Sequence, residues 1–217
     1  QPENSGRYCV TVNLNGCTAQ SCTDVIVRPK TVPSNNTPIC EGETLKLFAT
    51  AVAGGSFAWT GPGGFTSTLQ NPEIPNATPA NNGDYCVTVT VAGLTSPQAC
   101  TNAVIKPRPV VVAINNSPVC EGDPVTLSAS SVARATYSWT GPGGFTSTLQ
   151  SPTITTTRLT DSGRYCVTVI VDGCASNAAC TDVVIRPHPV TTATQNGPLC
   201  AGETLLLGAS SVTGGTY

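Results

Sequence analysis

Residues 59–70 read WTGPGGFTSTLQ, and residues 139–150 repeat those twelve letters without a change. The offset of 80 persists well outside the block: Cys40 aligns with Cys120 and Cys200, Tyr85 with Tyr165, Cys86 with Cys166, and Cys100 with Cys180. Self-similarity at one fixed period means an array of copies of one small unit. Arrays of this kind serve reach and display more readily than catalysis.

The copies partition the 217 residues into 1–30, the last part of a repeat; 31–108 and 109–188, two complete repeats; and 189–217, the first part of another. Tyr8 then stands where Tyr85 and Tyr165 stand, and Tyr217 where Tyr137 stands. The expectation is of a segment from a longer polypeptide. No apolar run of about 20 residues is present, so nothing here reports on export or anchoring.

Eleven cysteines at repeating positions read as a disulfide framework, which places the chain outside the cell or on its surface. Only 10% of residues are charged and the formal net charge is −2. That composition lacks the basic face that nucleic acid requires. A hydrophobic content of 39% argues against disorder.

Within one copy the pattern is that of short strands. Residues 125–131 alternate apolar and small polar side chains, and residues 135–139 do so with aromatics. Gly141-Pro142-Gly143-Gly144 forces a turn. The run from Tyr165 to Val171 is a strand ending at Asp172-Gly173, a two-residue hairpin signal, and the run from Cys180 to Ile185 returns. No window carries a helical period. About seven short strands per copy predict an all-β chain of two-sheet antiparallel sandwiches in a tandem, extended array. Trp59, Tyr85, Val87 and Val89, with Trp139, Tyr165, Val167 and Val169, are the expected core. Alternate prolines in Lys106-Pro107-Arg108-Pro109 and Arg186-Pro187-His188-Pro189 mark extended, semi-rigid connectors.

The lone Trp139 on a third strand and the run Asp161-Ser162-Gly163-Arg164-Tyr165 resemble immunoglobulin-like domains, where a Tyr at this corner bonds back to the chain. The other copies carry Asn4 and Asn81 in place of the Asp. Cys166 directly follows Tyr165, whereas the family places its core Cys two residues on. Cys166 should therefore face the other side of its sheet. The full pattern is similar to tandem Ig-like repeats of large secreted surface proteins of Bacteroidota. That resemblance implies adhesins, gliding-motility-associated proteins and surface filaments.

Hairpin counting from Asn15-Gly16 sets Cys9 opposite Cys22, and the repeat carries this pairing to Cys86–Cys100 and Cys166–Cys180, with one bulge residue in each. Each bridge would close a loop of about 14 residues and contribute on the order of 3 kcal/mol. A further pair, Cys120–Cys174, is expected on weaker grounds, because hairpin counting is silent about Cys120; a Cys120–Cys166 bond is the alternative. The middle copy has Leu94 where the others have Cys17 and Cys174, so Cys40 is left as a free thiol or one bonded between domains.

Phe65 and Phe145, after a Gly-rich turn, are candidate contacts for a ligand or a neighbouring domain, although packing on their own sheet suits them better. The two Trp residues could serve as sugar platforms, although a core role suits them better. Glu41-Gly42-Glu43 and Glu121-Gly122-Asp123 are weak candidates for calcium, and Asn35, Asn76 and Asn115 lie in N-x-S/T sequons. The single histidine, His188, sits in a connector, and no nucleophile–base set assembles, so no enzyme, catalytic residue, metal or cofactor is expected. The expected partners are neighbouring repeats, with lateral self-association or a surface ligand open. Neither nucleic acid nor membrane contact is expected. The expectation is thus a structural or adhesive stalk; the alternatives are a ligand-binding Ig-like module and a non-catalytic spacer in a secreted enzyme.

Overall fold

The computed structural model describes residues 4–216; the expected equivalence of Tyr217 with Tyr137 lies outside them. Among the described residues the regular elements are β-strands and short 3-10 turns. The chain divides into two compact units, Gln1–Arg108 with Asp172–Cys174, and Pro109–Val171 with Ala175–Tyr217.

The first unit opens with an antiparallel hairpin of β1 (Gly6–Leu14) and β2 (Cys17–Val25). Asn15 and Gly16 adopt φ of 50° and 86°, the doubly left-handed turn whose twist matches the flanking strands. A sandwich follows. One sheet has the order β3 (Pro33–Asn35), β5 (Leu45–Ala49), β8 (Glu73–Ile74). The other runs β10 (Leu94–Thr95), β9 (Gly83–Val91), β6 (Ser56–Gly61), β7 (Phe65–Ser67), with β11 (Ala99–Ala103) also on β9. A short β4 (Ile39–Cys40) lies parallel to β12 (Ile105–Lys106).

The chain from Pro109 onward repeats this plan. β13 (Ala113–Asn115), β15 (Val125–Ala129) and β18 (Thr153–Ile154) form one sheet. β17 (Thr146–Ser147), β16 (Thr136–Thr140), β19 (Gly163–Val171) and β20 (Cys174–Ala175) form the other, with β21 (Ala179–Val183) on β19. β14 (Val119–Cys120) is parallel to β22 (Ile185–Arg186), and β23 (Ala193–Gln195) pairs with β24 (Leu207–Ala209). Each complete sandwich is an Ig-like antiparallel arrangement of two sheets.

Strict alternation explains the cores. Leu45, Leu47 and Ala49 of β5 point inward while Lys46 and Phe48 point out, and Tyr85, Val87 and Val89 of β9 do the same. With Phe57, Trp59 and Ile105 they make one buried cluster. Val125, Leu127, Trp139, Tyr165, Val167, Val169 and Ile185 make its counterpart in the second unit.

Two local devices hold the long hairpin of each sandwich in register. The pairs Leu94↔Val91 and Ala99↔Val87 differ by one residue in count, so one extra residue is accommodated between them. Buried Ser96 fills the irregularity. Its N–H donates to Val89 O (2.8 Å), and its Oγ accepts from Val89 N (3.0 Å), replacing the ladder carbonyl that the bulge removes. Ser176 treats Val169 identically, at 2.8 Å and 3.0 Å. The hairpin of β1 and β2 keeps one continuous register and has no such residue.

The two cores differ at the indole. In the first unit Asn71 Oδ1 accepts the Ala49 N–H (3.1 Å), which leaves Gln70 O to accept from Trp59 Nε1 (3.3 Å). Ser151 replaces Asn71 in the second unit. There the Ala129 N–H donates to Gln150 O (3.1 Å), and Trp139 Nε1 is buried without a partner among the described residues. An unmet buried donor costs stability. Ser151→Asn should therefore free the Gln150 carbonyl for the indole and stabilise the second unit by about 1 kcal/mol. Chemical denaturation followed by Trp fluorescence reads this directly, and an unchanged or lowered midpoint would refute the assignment.

Candidate functional site

The repeated twelve-residue block is the most conspicuous candidate site; its Gly61 and Phe65 pack on one tyrosine, while Thr60, Thr66, Thr68 and Leu69 are exposed. The block leaves the core strand at Trp59 and turns through Pro62–Gly64, with Gly63 and Gly64 at φ of 65° and 75°. A Cβ on Gly61 would lie 2.4 Å from the Tyr85 ring, so only glycine lets the ring sit there. Phe65 then meets Tyr85 edge to face, with ring centroids 5.4 Å apart. Gly83, at φ 132°, brings the tyrosine strand against the Pro62 ring. The second unit repeats each contact: Gly141 on Tyr165, Phe145 edge to face at 5.3 Å, and Gly163 against Pro142.

The phenol itself is tied down. Tyr85 OH donates to Asn81 O (3.1 Å) and Tyr165 OH to Asp161 O (2.9 Å). Tyr8 OH makes the same bond to Asn4 O (2.8 Å). Because the acceptor is a backbone carbonyl, the change from Asp to Asn among the copies leaves this bond intact. The side chains cap the preceding turn, Asn81 Oδ1 accepting from Thr78 N (2.9 Å) and Asp161 Oδ2 from Arg158 N (2.8 Å). Phe65 and Phe145, the candidate contacts, are half-buried against these rings, and both Trp residues lie in the cores.

Cysteine chemistry is the second candidate. Cys9–Cys22, Cys86–Cys100 and Cys166–Cys180 are disulfides across directly opposed strand positions, each with Cα atoms 4.0 Å apart. The Cys120–Cys174 expectation is corrected: Cys174 is bonded to Cys40, and Cys120 is a free thiol. The reason lies in the strand. Cys120 is paired beside Arg186, just past the end of β19 that begins at Gly163. Cys174 follows the turn at the opposite end of that nine-residue strand, about 27 Å away at 3.3 Å per residue. Cys40, which sequence reasoning left as a free thiol or one bonded between domains, is thus half of a disulfide with a Cα–Cα distance of 5.6 Å. Cys17 and Cys200 are exposed free thiols.

The acidic turns serve the backbone. Glu43 Oε2 accepts from Cys40 N (2.8 Å), and Glu41 O accepts from Arg108 Nε (2.7 Å). In the second unit His188, at the position of Arg108, donates from Nε2 to Glu121 O (2.7 Å). Among the described residues no group of three or more His, Cys, Asp or Glu could hold a metal. Two of the three sequon asparagines are structural: Asn35 Nδ2 donates to Thr101 Oγ1 and Asn102 O (2.8 and 2.9 Å), and Asn115 Nδ2 to Thr181 Oγ1 and Asp182 O (2.7 and 3.0 Å). No described helix is long and apolar enough to cross a membrane.

The family model of an Ig-like domain, CHU_C associated, matches residues 107–189, and over those residues the chain is similar to that family. No curated protein matches the sequence. Murine CEACAM1b is similar at 16% identity, covering 71% of this chain and 100% of its own, with a TM-score of 0.35. The amphioxus IgVJ-C2 molecule is similar at 16% identity, over 66% and 97% of the two chains, with a TM-score of 0.31. The two-domain IG1+IG2 structure of DIP-gamma is similar at 12%, over 73% and 99%, with a TM-score of 0.35. At these scores the likenesses carry no argument, and the architecture rests on the strands described above.

The buried phenols have a consequence in alkali. Burial raises the pKa of Tyr85 above 10.0; burial, and after it the negative charge of Asp161, raises that of Tyr165. The folded chain therefore holds these protons more tightly than the unfolded chain. Their contribution is fully present below about pH 10 and is lost as pH climbs through the raised folded values. Melting temperatures should be flat up to that pH and fall steeply above it. A melting temperature that stays level well above pH 10 would contradict the burial argument.

Proposed function

We propose that this chain is a structural or adhesive segment of a bacterial cell-surface protein, built from Ig-like repeats. One observation carries this reading. In the block that repeats without a change, Trp59 is buried in the core, Gly61 and Phe65 pack on one tyrosine and Pro62 packs on Gly83, which supports reading the block as a duplicated scaffold. Three cross-strand disulfides suit an oxidising, extracellular setting. Sparse charge suits a neutral spacer, and the match of residues 107–189 to an Ig-like domain fits a module of this type.

The competing reading is a module that recognises a saccharide through Phe65 and Phe145. The two make different predictions for a glycan array and for titration calorimetry with surface polysaccharides. Under the scaffold reading no saturable binding is found, and Phe65→Ala and Phe145→Ala lower the melting temperature of their own units. Saturable saccharide binding that disappears in either variant, with the melting temperature unchanged, would overturn it.

A further inference from the structure

We infer that the Cys40–Cys174 disulfide is a tension bypass: a pull along the chain crosses that one bond, and the residues between the two cysteines stay unloaded. The inference deepens the structural reading, on which its purpose rests. Its test follows the force path alone, so it can fail while that reading stands, and saccharide binding would leave its outcome unchanged.

Both anchors of the bond are held. Cys40 is half-buried on β4, in the parallel pairing of Ile39–Cys40 with Ile105–Lys106. Cys174 is 1% exposed and directly follows the Asp172-Gly173 turn, with φ of 49° and 87°. Lys106, the residue paired with Cys40, donates from Nζ to Asp172 O (2.9 Å), so the strand beside one sulfur also seats the turn that carries the other. Cys40 and Cys174 belong to the same compact unit. A reducing thiol must reach a sulfur to attack it, and burial of Cys174 restricts that approach.

The position of the bond decides what it shields. All of β5 through β19 lies between the two cysteines, and with it Trp59, Tyr85, Trp139 and Tyr165, the centres of both buried clusters. A pull applied before Cys40 and after Cys174 runs along the shortest covalent path, which is the S–S bond. Without that bond the pull would enter the first sandwich at β4 and leave it at β12. Those strands are parallel, so the pull would slide one along the other and load their hydrogen bonds together: Ile39 N donating to Val104 O (3.2 Å) and Glu41 N to Lys106 O (2.8 Å). Each such bond contributes only about 1 kcal/mol net, whereas the disulfide is covalent.

The hairpin disulfides cannot serve this purpose. Cys86–Cys100 and Cys166–Cys180 each have a sequence separation of 14 and bridge one turn, which leaves the strands on either side in line with the pull. Cys40–Cys174 has a separation of 134. Forced unfolding is governed by the unfolding rate, and a core outside the force path keeps the rate it has at rest. The packing around the two tyrosines is thereby preserved while the chain is under load.

The test stretches the 217-residue chain between terminal peptide tags in optical tweezers, without reductant. With Cys9–Cys22 and Cys40–Cys174 closed, residues 1–9, 22–40 and 174–217 remain extensible. At about 3.5 Å per residue the fully stretched parent should reach about 250 Å. The double variant Cys40→Ser, Cys174→Ser keeps the three hairpin bonds and should extend about 370 Å further. Length at full stretch depends on the covalent path and not on folding, so a destabilised variant gives the same reading. Parent and variant of equal final length, or a parent that extends well beyond 250 Å without reductant, would each overturn the inference.

Discussion

The contact on which each sandwich depends is the seating of one tyrosine ring on a glycine. Tyr165 lies where any Cβ on Gly141 would come within 2.3 Å of its ring, and Tyr85 stands in the same relation to Gly61. That approach places Phe145 at the ring edge, Pro142 against Gly163, and the phenol within reach of Asp161 O. A sheet and the turn of its neighbouring strand are thereby fixed to each other at one point. The adjoining Val167 and Val169 continue the same buried face, so the ring and the strand interior form a single packed surface. Gly61 and Phe65 of the repeated block, with Gly141 and Phe145, tolerate little change in volume because they pack on that ring.

Disulfides act on the opposite side of the same strand. Cys166 adjoins Tyr165, so with alternating side chains its sulfur faces away from the core, and the bond to Cys180 locks the hairpin from outside. The core disulfide of many Ig-like domains is thus replaced by an external staple, and the interior is left to Trp, Tyr and aliphatic side chains. A loop of this size restricts the unfolded chain by about 3 kcal/mol, a large share of what a small domain can muster.

Much of this was legible in the sequence because the informative signals were local. Asn15-Gly16 sets a two-residue turn, and counting outward from it places Cys9 opposite Cys22. Alternation in residues 165–171 separates Tyr165, Val167 and Val169 from the outward Cys166. The partner of Cys40 was not legible, since nothing local connects it to a turn 134 residues further on. The role of Ser96 and Ser176 was missed as well. The available signal was the one-residue excess in the Cys86–Cys100 and Cys166–Cys180 separations, 14 against 13 in the first hairpin. It announces a bulge, but only the structure shows which side chain satisfies the orphaned Val89 and Val169 amides. Packing of Phe65 and Phe145 on their own sheets was the favoured reading, but the tyrosine ring as the partner was not legible, because a turn of two glycines can aim the next side chain either way.

The central claim is that the invariant block is a packing device organised on the tyrosine, and a double-mutant cycle between Phe145 and Tyr165 tests it most directly. Phe145→Leu, Tyr165→Leu and the double variant are compared by equilibrium denaturation of the second unit's transition. The account predicts that the two losses are not additive, with a coupling of about 0.5–1.5 kcal/mol, as expected for an edge-to-face aromatic pair. Additive losses would contradict it, for they would mean that the ring of Phe145 is held in place by something other than the tyrosine beside it.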